Sequence, residues 1–428
     1  MSVRINNGYL ITANAQNDCM EGCVIVSDGI IVYAGPEELA PDITVTRTIN
    51  ANGGIIAPGF VNTHTHVAMN LLRGYADDMA LMDWLQNSIW PAEAKLDEEA
   101  VYWGTMLAIA EMVAGGITCF SDMYNFTEQI AKAANVAGIR ALIATAVLDI
   151  DGQGDRRLEK AAELFDVVKD YKRVEAVIGP HAEYTVSPAM FKKVGRLAQK
   201  LDSRIHVHIS ETYGEHNECI ERHSKTPIGL LDSLGLLELP LMAAHCVWIS
   251  DEDMVVMAEK DISVLSCPGS NLKLGSGIAR VGKMMETGVN VSCATDGAAS
   301  NNNLSMMEEM TLISLLQKGL NRQPTLIPAT SAVKIATING AKALGLEQIT
   351  GSIEAGKQAD LVVIDTSGVR YCPKTNLLHH FVYSGSDADV KLTMVGGDIL
   401  YENGTITFGD IEEIKAKASQ HATKLFIS

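Results

Sequence analysis

Through the first 57 residues, apolar and polar positions alternate in short runs broken by turn residues. Val3-Arg4-Ile5 precedes Asn6-Asn7-Gly8, while Val24-Ile25-Val26 and Ile30-Ile31-Val32-Tyr33 flank Ser27-Asp28-Gly29. An Asp-Gly pair between β-branched runs is a hairpin signal. This stretch therefore reads as a small β unit without a helix of useful length. From Gly59 the pattern changes. Apolar strand-like runs end in polar or histidine-bearing tips, and helical periodicities such as 100–114 and 158–171 lie between most of them. The apolar run 53–61 reads as one buried strand leading to His64 and His66. The run 116–120 ends at Ser121-Asp122, 141–148 follows, and 176–179 ends at Pro180-His181. Next, 205–209 leads to Ser210-Glu211, 241–244 to His245, 263–266 to Cys267-Pro268, and 289–294 to Thr295-Asp296. Eight such units over roughly 240 residues predict a (β/α)8 TIM barrel.

After about Gly351 the β texture returns, in 351–356, 359–364, 390–395 and 399–401, and a helix over 411–425 closes the chain. These runs can complete the sheet begun by the N-terminal unit. The expected architecture is α/β: a catalytic barrel over 58–355, with a small composite β-sandwich domain made from 1–57 and 356–428.

Composition narrows the possible partners. Lysine and arginine number 34 against 52 acidic residues, a formal charge of −18 on 428 residues. Such a chain repels nucleic acid, which sets aside a DNA or RNA polymer as substrate. The first ten residues lack a charged segment followed by a long apolar one, so no signal peptide is expected. No apolar run approaches the roughly 20 residues of a membrane span. The eight cysteines are scattered, mostly inside apolar runs, and read as free thiols of a reducing cytoplasm.

On an extended strand, residues two apart share a face, so His64 and His66 can converge on one point. Five of the eleven histidines (His64, His66, His181, His208, His245) stand at or near predicted strand tips, together with Asp296. That end of the strands is the face on which barrels build their sites. Three imidazoles and a carboxylate hold a zinc-like ion with one position left for water. The expected ligands are His64, His66, His208 and Asp296. His245 competes as a fourth imidazole, or orients the water from outside the ligand set. His206 shares the face of His208 but lies deeper, and His216, His223, His379, His380 and His421 read as ordinary surface or packing residues. Glu211, three residues after His208, can carry a proton between water and substrate. The competing reading makes it a glutamate that satisfies backbone donors at a helix start. No lysine stands between Ala176 and Glu183 to bridge two metals, so one ion is expected. Cys267-Pro268 lacks the Pro-Cys-x-x-Cys spacing of the small zinc cytidine and adenine deaminases, which excludes that fold.

The stretches Pro58-Gly59-Phe60-Val61-Asn62-Thr63-His64-Thr65-His66, His208-Ile209-Ser210-Glu211, Ala244-His245-Cys246 and Asp296-Gly297-Ala298-Ala299-Ser300-Asn301-Asn302 resemble the amidohydrolase superfamily, in its mononuclear deaminase branch. So does Gly351-x-Ile353-x-x-Gly356-Lys357-x-Ala359-Asp360-Leu361-Val362. Within that branch, Asp83-Trp84-Leu85-Gln86, Ile89-Trp90-Pro91-x-Glu93 and the stretch Ser270 to Ala279 resemble the 5′-methylthioadenosine/S-adenosylhomocysteine deaminases. The resemblance implies that Glu93 and His181 hold ribose hydroxyls and that Glu211 contacts the purine while moving protons. It implies that His245 and Asp296 orient the attacking water, and that Arg157 faces the carboxylate of a homocysteine tail. Arg156 is adjacent, so which arginine faces the substrate stays open, and Thr145 stands where the family often carries a second arginine. Trp84 either packs on the substrate or fills the loop core.

The expectation is a metal-dependent hydrolytic deaminase of adenosine-type nucleosides: 5′-methylthioadenosine, S-adenosylhomocysteine or adenosine. It would release ammonia and the inosyl product with one divalent ion per chain, zinc first and iron or manganese as alternatives. No membrane partner is expected, and a homo-oligomer is left open. The alternative is an amidohydrolase acting on another ring, such as guanine, a pterin, cytosine or a triazine. A non-catalytic scaffold on the same barrel is more remote, because such relatives lose ligands and none is lost here.

Overall fold

The computed structural model describes residues 2–426. Eight parallel strands pair in chain order: Phe60–Thr65, Ile117–Tyr124, Arg140–Val147, Val174–Pro180, Ile205–Ile209, Leu241–His245, Ser263–Ser266 and Asn290–Cys293. Nearly every residue in them is buried, as expected of strands covered by helices on one side and packed across a barrel on the other. Side-chain caps start the helices cleanly. Asp97 accepts from the Ala100 N–H at the head of Glu98–Ala114, and Ser187 and Ser305 cap Pro188–Leu201 and Met306–Asn321 in the same way.

The last and first strands meet through side chains. Asn62 Nδ2 donates to Thr295 Oγ1 at 2.7 Å and Asn62 Oδ1 accepts from Thr295 N at 3.0 Å. Thr63 Oγ1 donates to Cys293 O at 3.1 Å, and Asp296 N donates to His64 O at 3.0 Å. This seam sets Asp296 beside His64, so barrel closure and site assembly are one event.

The apolar run 53–61 is two strands, where the sequence reads as one. Ile55–Pro58 belongs to a second sheet, antiparallel to Leu361–Ile364, and the barrel begins at Phe60. Pro58 has no N–H for continued pairing. A Cβ on Gly59 would lie 2.1 Å from Thr118 Cγ2, so only glycine lets the backbone cross there. The second barrel strand runs on past the expected tip at Ser121-Asp122 to Tyr124, which carries Met123 and Tyr124 into the site.

The second sheet has nine strands and is mixed, built from both ends of the chain. Its hairpin Cys19–Ser27/Ile30–Gly35 turns through Asp28 (φ 50°) and Gly29 (φ 82°), the left-handed pair of a type I′ turn. Val3, Ile5, Val24, Ile56, Leu361 and Met394 form a core of its own. The alternate residues Ile55, Ala57, Val362 and Ile364 join the core that the barrel and its helices share. Arg140, at the base of the third barrel strand, donates to Asp360 through Nε (3.0 Å) and one terminal nitrogen (3.1 Å), both side chains being buried. The final helix, Ile411–Phe426, packs on Glu98–Ala114. Among the described residues no helix is long and apolar enough to cross a membrane. All eight cysteines are free, and six of them are buried.

Candidate active site

Three strand tips bend through left-handed backbone just where the chemistry lies. Ser210 (φ 48°), His245 (φ 67°), Cys246 (φ 49°) and Asp296 (φ 61°) all adopt a conformation that costs energy for non-glycine residues and collects at functional sites. Of these, His245 and Asp296 line a cavity of about 440 Å³, together with Glu211, the residue after Ser210.

His64, His66 and His208 each offer a ring nitrogen within 4.8 Å of the others. Their tautomers are set from behind. His66 Nδ1–H donates to Met123 O at 2.6 Å and His208 Nδ1–H to His181 O at 2.7 Å; a carbonyl can only accept, so Nε2 of both rings is bare. His64 Nδ1 lies 2.8 Å from His206 Nε2, and His206 Nδ1 lies 3.2 Å from Ser121 Oγ. Run with His64 Nδ1–H donating to His206 Nε2 and His206 Nδ1–H to the Ser121 hydroxyl, this chain leaves His64 Nε2 bare as well, the state a metal ligand needs. Asp296 Oδ2 accepts from Ser270 Oγ and Ser300 Oγ, both at 2.7 Å. Its Oδ1 stands 3.5 Å from His64 Nε2 and 3.3 Å from His66 Nε2.

Two atoms at this centre, His64 Nε2 and Asp296 Oδ1, are buried without a hydrogen-bond partner in the protein. Orphaned polar atoms of this kind are costly unless something occupies the space between them. Burial holds His64 down at about 4 and His208 well below the usual histidine value, so both are neutral, as ligands must be. Burial alone would raise Asp296, but the approach of His64, His66 and His245 pulls it well below the usual carboxylate range. The residues therefore fit a divalent ion. A second trio, His64, His245 and Cys267, is also close enough. Burial pushes the Cys267 thiol well above its usual value, which leaves it a protonated and poor ligand.

His245 and Glu211 stand beside this centre. His245 Nδ1 is held by Asn271 Oδ1 at 2.9 Å, and its Nε2 lies 3.9 Å from Glu211 Oε2. Burial would lower His245, but the charges of Glu211 and Asp296 prevail and raise it. Burial raises Glu211. The backbone-satisfying role weighed for Glu211 falls to Glu215, whose two oxygens accept from Ser210 N at 2.9 Å and Glu211 N at 2.8 Å. The signal for it is present in sequence: Thr212-x-x-Glu215 has the spacing of a capping box, and Thr212 does cap the helix Tyr213–His223.

The other expected residues line the same cavity. Glu93 accepts from the Tyr124 hydroxyl at 2.6 Å and is raised by burial. His181 Nδ1 lies 2.8 Å from Thr185 Oγ1, and burial lowers His181 to about 3. Trp84 is 4% exposed in the loop core and lines the cavity with Met69, Leu85 and Trp90. Arg157 lines this cavity and Arg156 does not. Arg157 is paired with Asp151, both terminal nitrogens donating at 2.6 Å. Thr145 lies outside the cavity, bonded to Thr127 at 2.8 Å. Ser121, Ser270, Asn271 and Ser300 lie in stretches that the sequence marks without giving them a role, and Tyr124, Glu215 and Asp151 lie outside those stretches.

A parallel barrel with a histidine-rich site at its C-terminal mouth, joined to a sheet from both chain ends, defines a metal-dependent hydrolase class. The chain belongs to the amidohydrolase family, whose sequence profile matches residues 55–400. It is 40% identical over 434 residues to a 5-methylthioadenosine/S-adenosylhomocysteine deaminase of Thermoanaerobacter pseudethanolicus, covering 99% of each chain. It is 43% identical over 380 residues to the protein of the same name from Dictyoglomus thermophilum, covering 88% of this chain and 89% of the relative. Among solved structures, an adenosine deaminase from Xanthomonas campestris with bound zinc superposes with a TM-score of 0.96 at 35% identity, covering 99% of this chain and 98% of that one.

Proposed function

We propose that this chain is a metal-dependent hydrolytic deaminase of adenosine-type nucleosides, which replaces the purine 6-amino group by oxygen and releases ammonia. One observation carries the reading: the unpartnered atoms His64 Nε2 and Asp296 Oδ1 stand 3.5 Å apart beside a cavity that Asp296, Glu211, His245, Glu93 and His181 line. The names of the relatives support the nucleoside part of the reading.

Zinc is the proposed ion, since imidazole nitrogens with one carboxylate oxygen suit it and the Xanthomonas protein holds it. When bound, the ion polarises a water and brings its pKa towards about 7. His64, His66, His208 and Asp296 would hold it, with Asp296 kept from rotating by Ser270 and Ser300. Glu211 takes the proton from the attacking water and hands it to the purine ring nitrogen; a carboxyl raised by burial suits both halves of that task. His245, its ring fixed by Asn271, steadies the oxygen as it approaches C6. Tyr124 occupies Glu93 Oε1, which leaves Oε2 to accept from a ribose hydroxyl. The apolar wall at Trp84 and Trp90 covers the sugar and excludes water. The free, buried thiols support a reducing cytoplasm. We also read 58–355 as the catalytic unit and 1–57 with 356–428 as its companion.

The test is ammonia release by metal-loaded protein given adenosine, 5′-methylthioadenosine, S-adenosylhomocysteine, guanine or cytosine. Turnover of the adenosine nucleosides alone is expected, with about one metal ion per chain. Turnover of guanine or cytosine with none of adenosine would refute the reading.

A further inference from the structure

Behind Asp296 lies a carboxylate that does not reach the cavity. Glu309, on the helix Met306–Asn321, is fully buried. Its Oε2 accepts from Gly269 N at 2.9 Å and its Oε1 from Asn301 Nδ2 at 2.7 Å. Both partners are donors and neither carries a charge. Gly269 and Asn301 stand next in sequence to Ser270 and Ser300, whose hydroxyls converge on Asp296 Oδ2. Glu309 thus bridges two short helices, Pro268–Lys273 and Ala298–Asn301, whose serines hold Asp296. The fold makes room for this bridge. A Cβ on Gly269 would lie 2.3 Å from Glu309 Oε1 and 2.9 Å from Asn301 Nδ2, so a side chain there would displace the carboxylate. Asn301 is pinned as well. Its Nδ2 also donates to Thr295 O at 2.7 Å, one residue before Asp296, so the amide cannot turn over without losing both bonds. Stability does not account for a glutamate here. Burial, joined by the charges of Glu308 and Asp296, raises it to about 8 against its two hydrogen bonds. Its folded-state pKa exceeds the unfolded one, so stability is lost as pH climbs from about 4.5 to about 8.

Resting on the reading of Asp296 as a metal ligand, we propose that Glu309 is a positioning residue for the metal centre: by spacing the two serine-bearing helices, it aims Asp296 Oδ1 at the ion. A carboxylate is required because both of its partners donate. Glutamine offers one acceptor and one donor, so it sets N–H against N–H on one side of the bridge. The helix on that side then moves away with its serine. Asp296 keeps only one of its two hydroxyl bonds, and its free oxygen is no longer held in one direction.

The test measures zinc affinity by chelator competition, starting from metal-free protein. It compares wild type, Glu309→Gln, Ser270→Ala/Ser300→Ala and the variant that combines all three changes. Glu309→Gln should weaken binding about tenfold in the wild-type background, the scale of losing a group that orients a ligand. Without the two serines it should change binding by less than about twofold, because its route to Asp296 is gone. The visible spectrum of the cobalt-loaded protein should shift in Glu309→Gln in the same direction as in Ser270→Ala/Ser300→Ala. An equal loss of affinity in both backgrounds, or no loss in either, would overturn the proposal, since a residue that only supports the fold gives additive effects. Gly269→Ala displaces the carboxylate while leaving every donor in place; it enters the same cycle, with the same outcomes, where Glu309→Gln does not fold. Ammonia release is read separately. Affinities that follow the cycle in a protein inactive on adenosine nucleosides would leave this proposal standing and remove the deaminase reading. Turnover of those nucleosides with additive affinities would do the reverse.

Discussion

Replacing Glu211 by glutamine keeps the shape of the side chain and removes its ability to accept a proton. The loop that carries it should not move, because Glu215 holds the backbone of Ser210 and Glu211 independently of the Glu211 side chain. The donor atoms that converge on the metal position come from His64, His66, His208 and Asp296, so metal content should not change. What is lost is proton transfer between water and ring. General acid–base catalysis of this kind contributes about 10²–10⁴ in rate, or roughly 3–5 kcal/mol of barrier. Glu211→Gln should therefore lower kcat by two to four orders of magnitude on that scale, with metal stoichiometry and melting temperature retained. Ammonia release coupled to a dehydrogenase, alongside metal analysis of the same preparation, reads both quantities. A variant within a few-fold of wild type would refute the assignment. So would loss of metal in step with loss of rate, since that would make Glu211 a ligand.

Three further outcomes are expected. His206→Ala removes the ring that fixes the His64 tautomer, and should weaken metal binding by about 10- to 100-fold in chelator competition; unchanged affinity would show that His64 orients itself. Asp360→Ala strands the buried Arg140 charge between barrel and sheet and should cost about 3–5 kcal/mol in denaturant unfolding, whereas a loss under about 1 kcal/mol would mean that water reaches the pair. Asp387 is raised to about 6 by burial and by Glu111, Glu308 and Asp389, against a hydrogen bond from Ser305. Its folded-state pKa exceeds the unfolded one, so stability is lost as pH climbs from about 4 to about 6 and stays lost above. Asp387→Asn should then raise the melting temperature at pH 7, by at most about 3 kcal/mol of stability, and leave it unchanged near pH 4; an equal effect at both would contradict the sign.

Periodicity and residue type determined much of this protein. Runs that end in histidine or aspartate, spaced by helical segments, specify parallel strands with their tips on one face, because side-chain direction along a strand alternates strictly. That is enough to bring His64, His66, His208, His245, Glu211 and Asp296 to one mouth. What a strand pattern does not carry is who stands across the barrel from whom. Only the folded chain puts Met123 O behind His66, His181 O behind His208 and His206 behind His64, and those partners decide which ring nitrogen is left bare. Only the folded chain shows the close approach of Thr118 that requires glycine at position 59, where the apolar run breaks. The pairing of Arg157 with Asp151, six residues away around an irregular loop, is likewise invisible to periodicity. Local preference sets direction along each element, and long-range packing sets the partner; the chemistry of this site needs both.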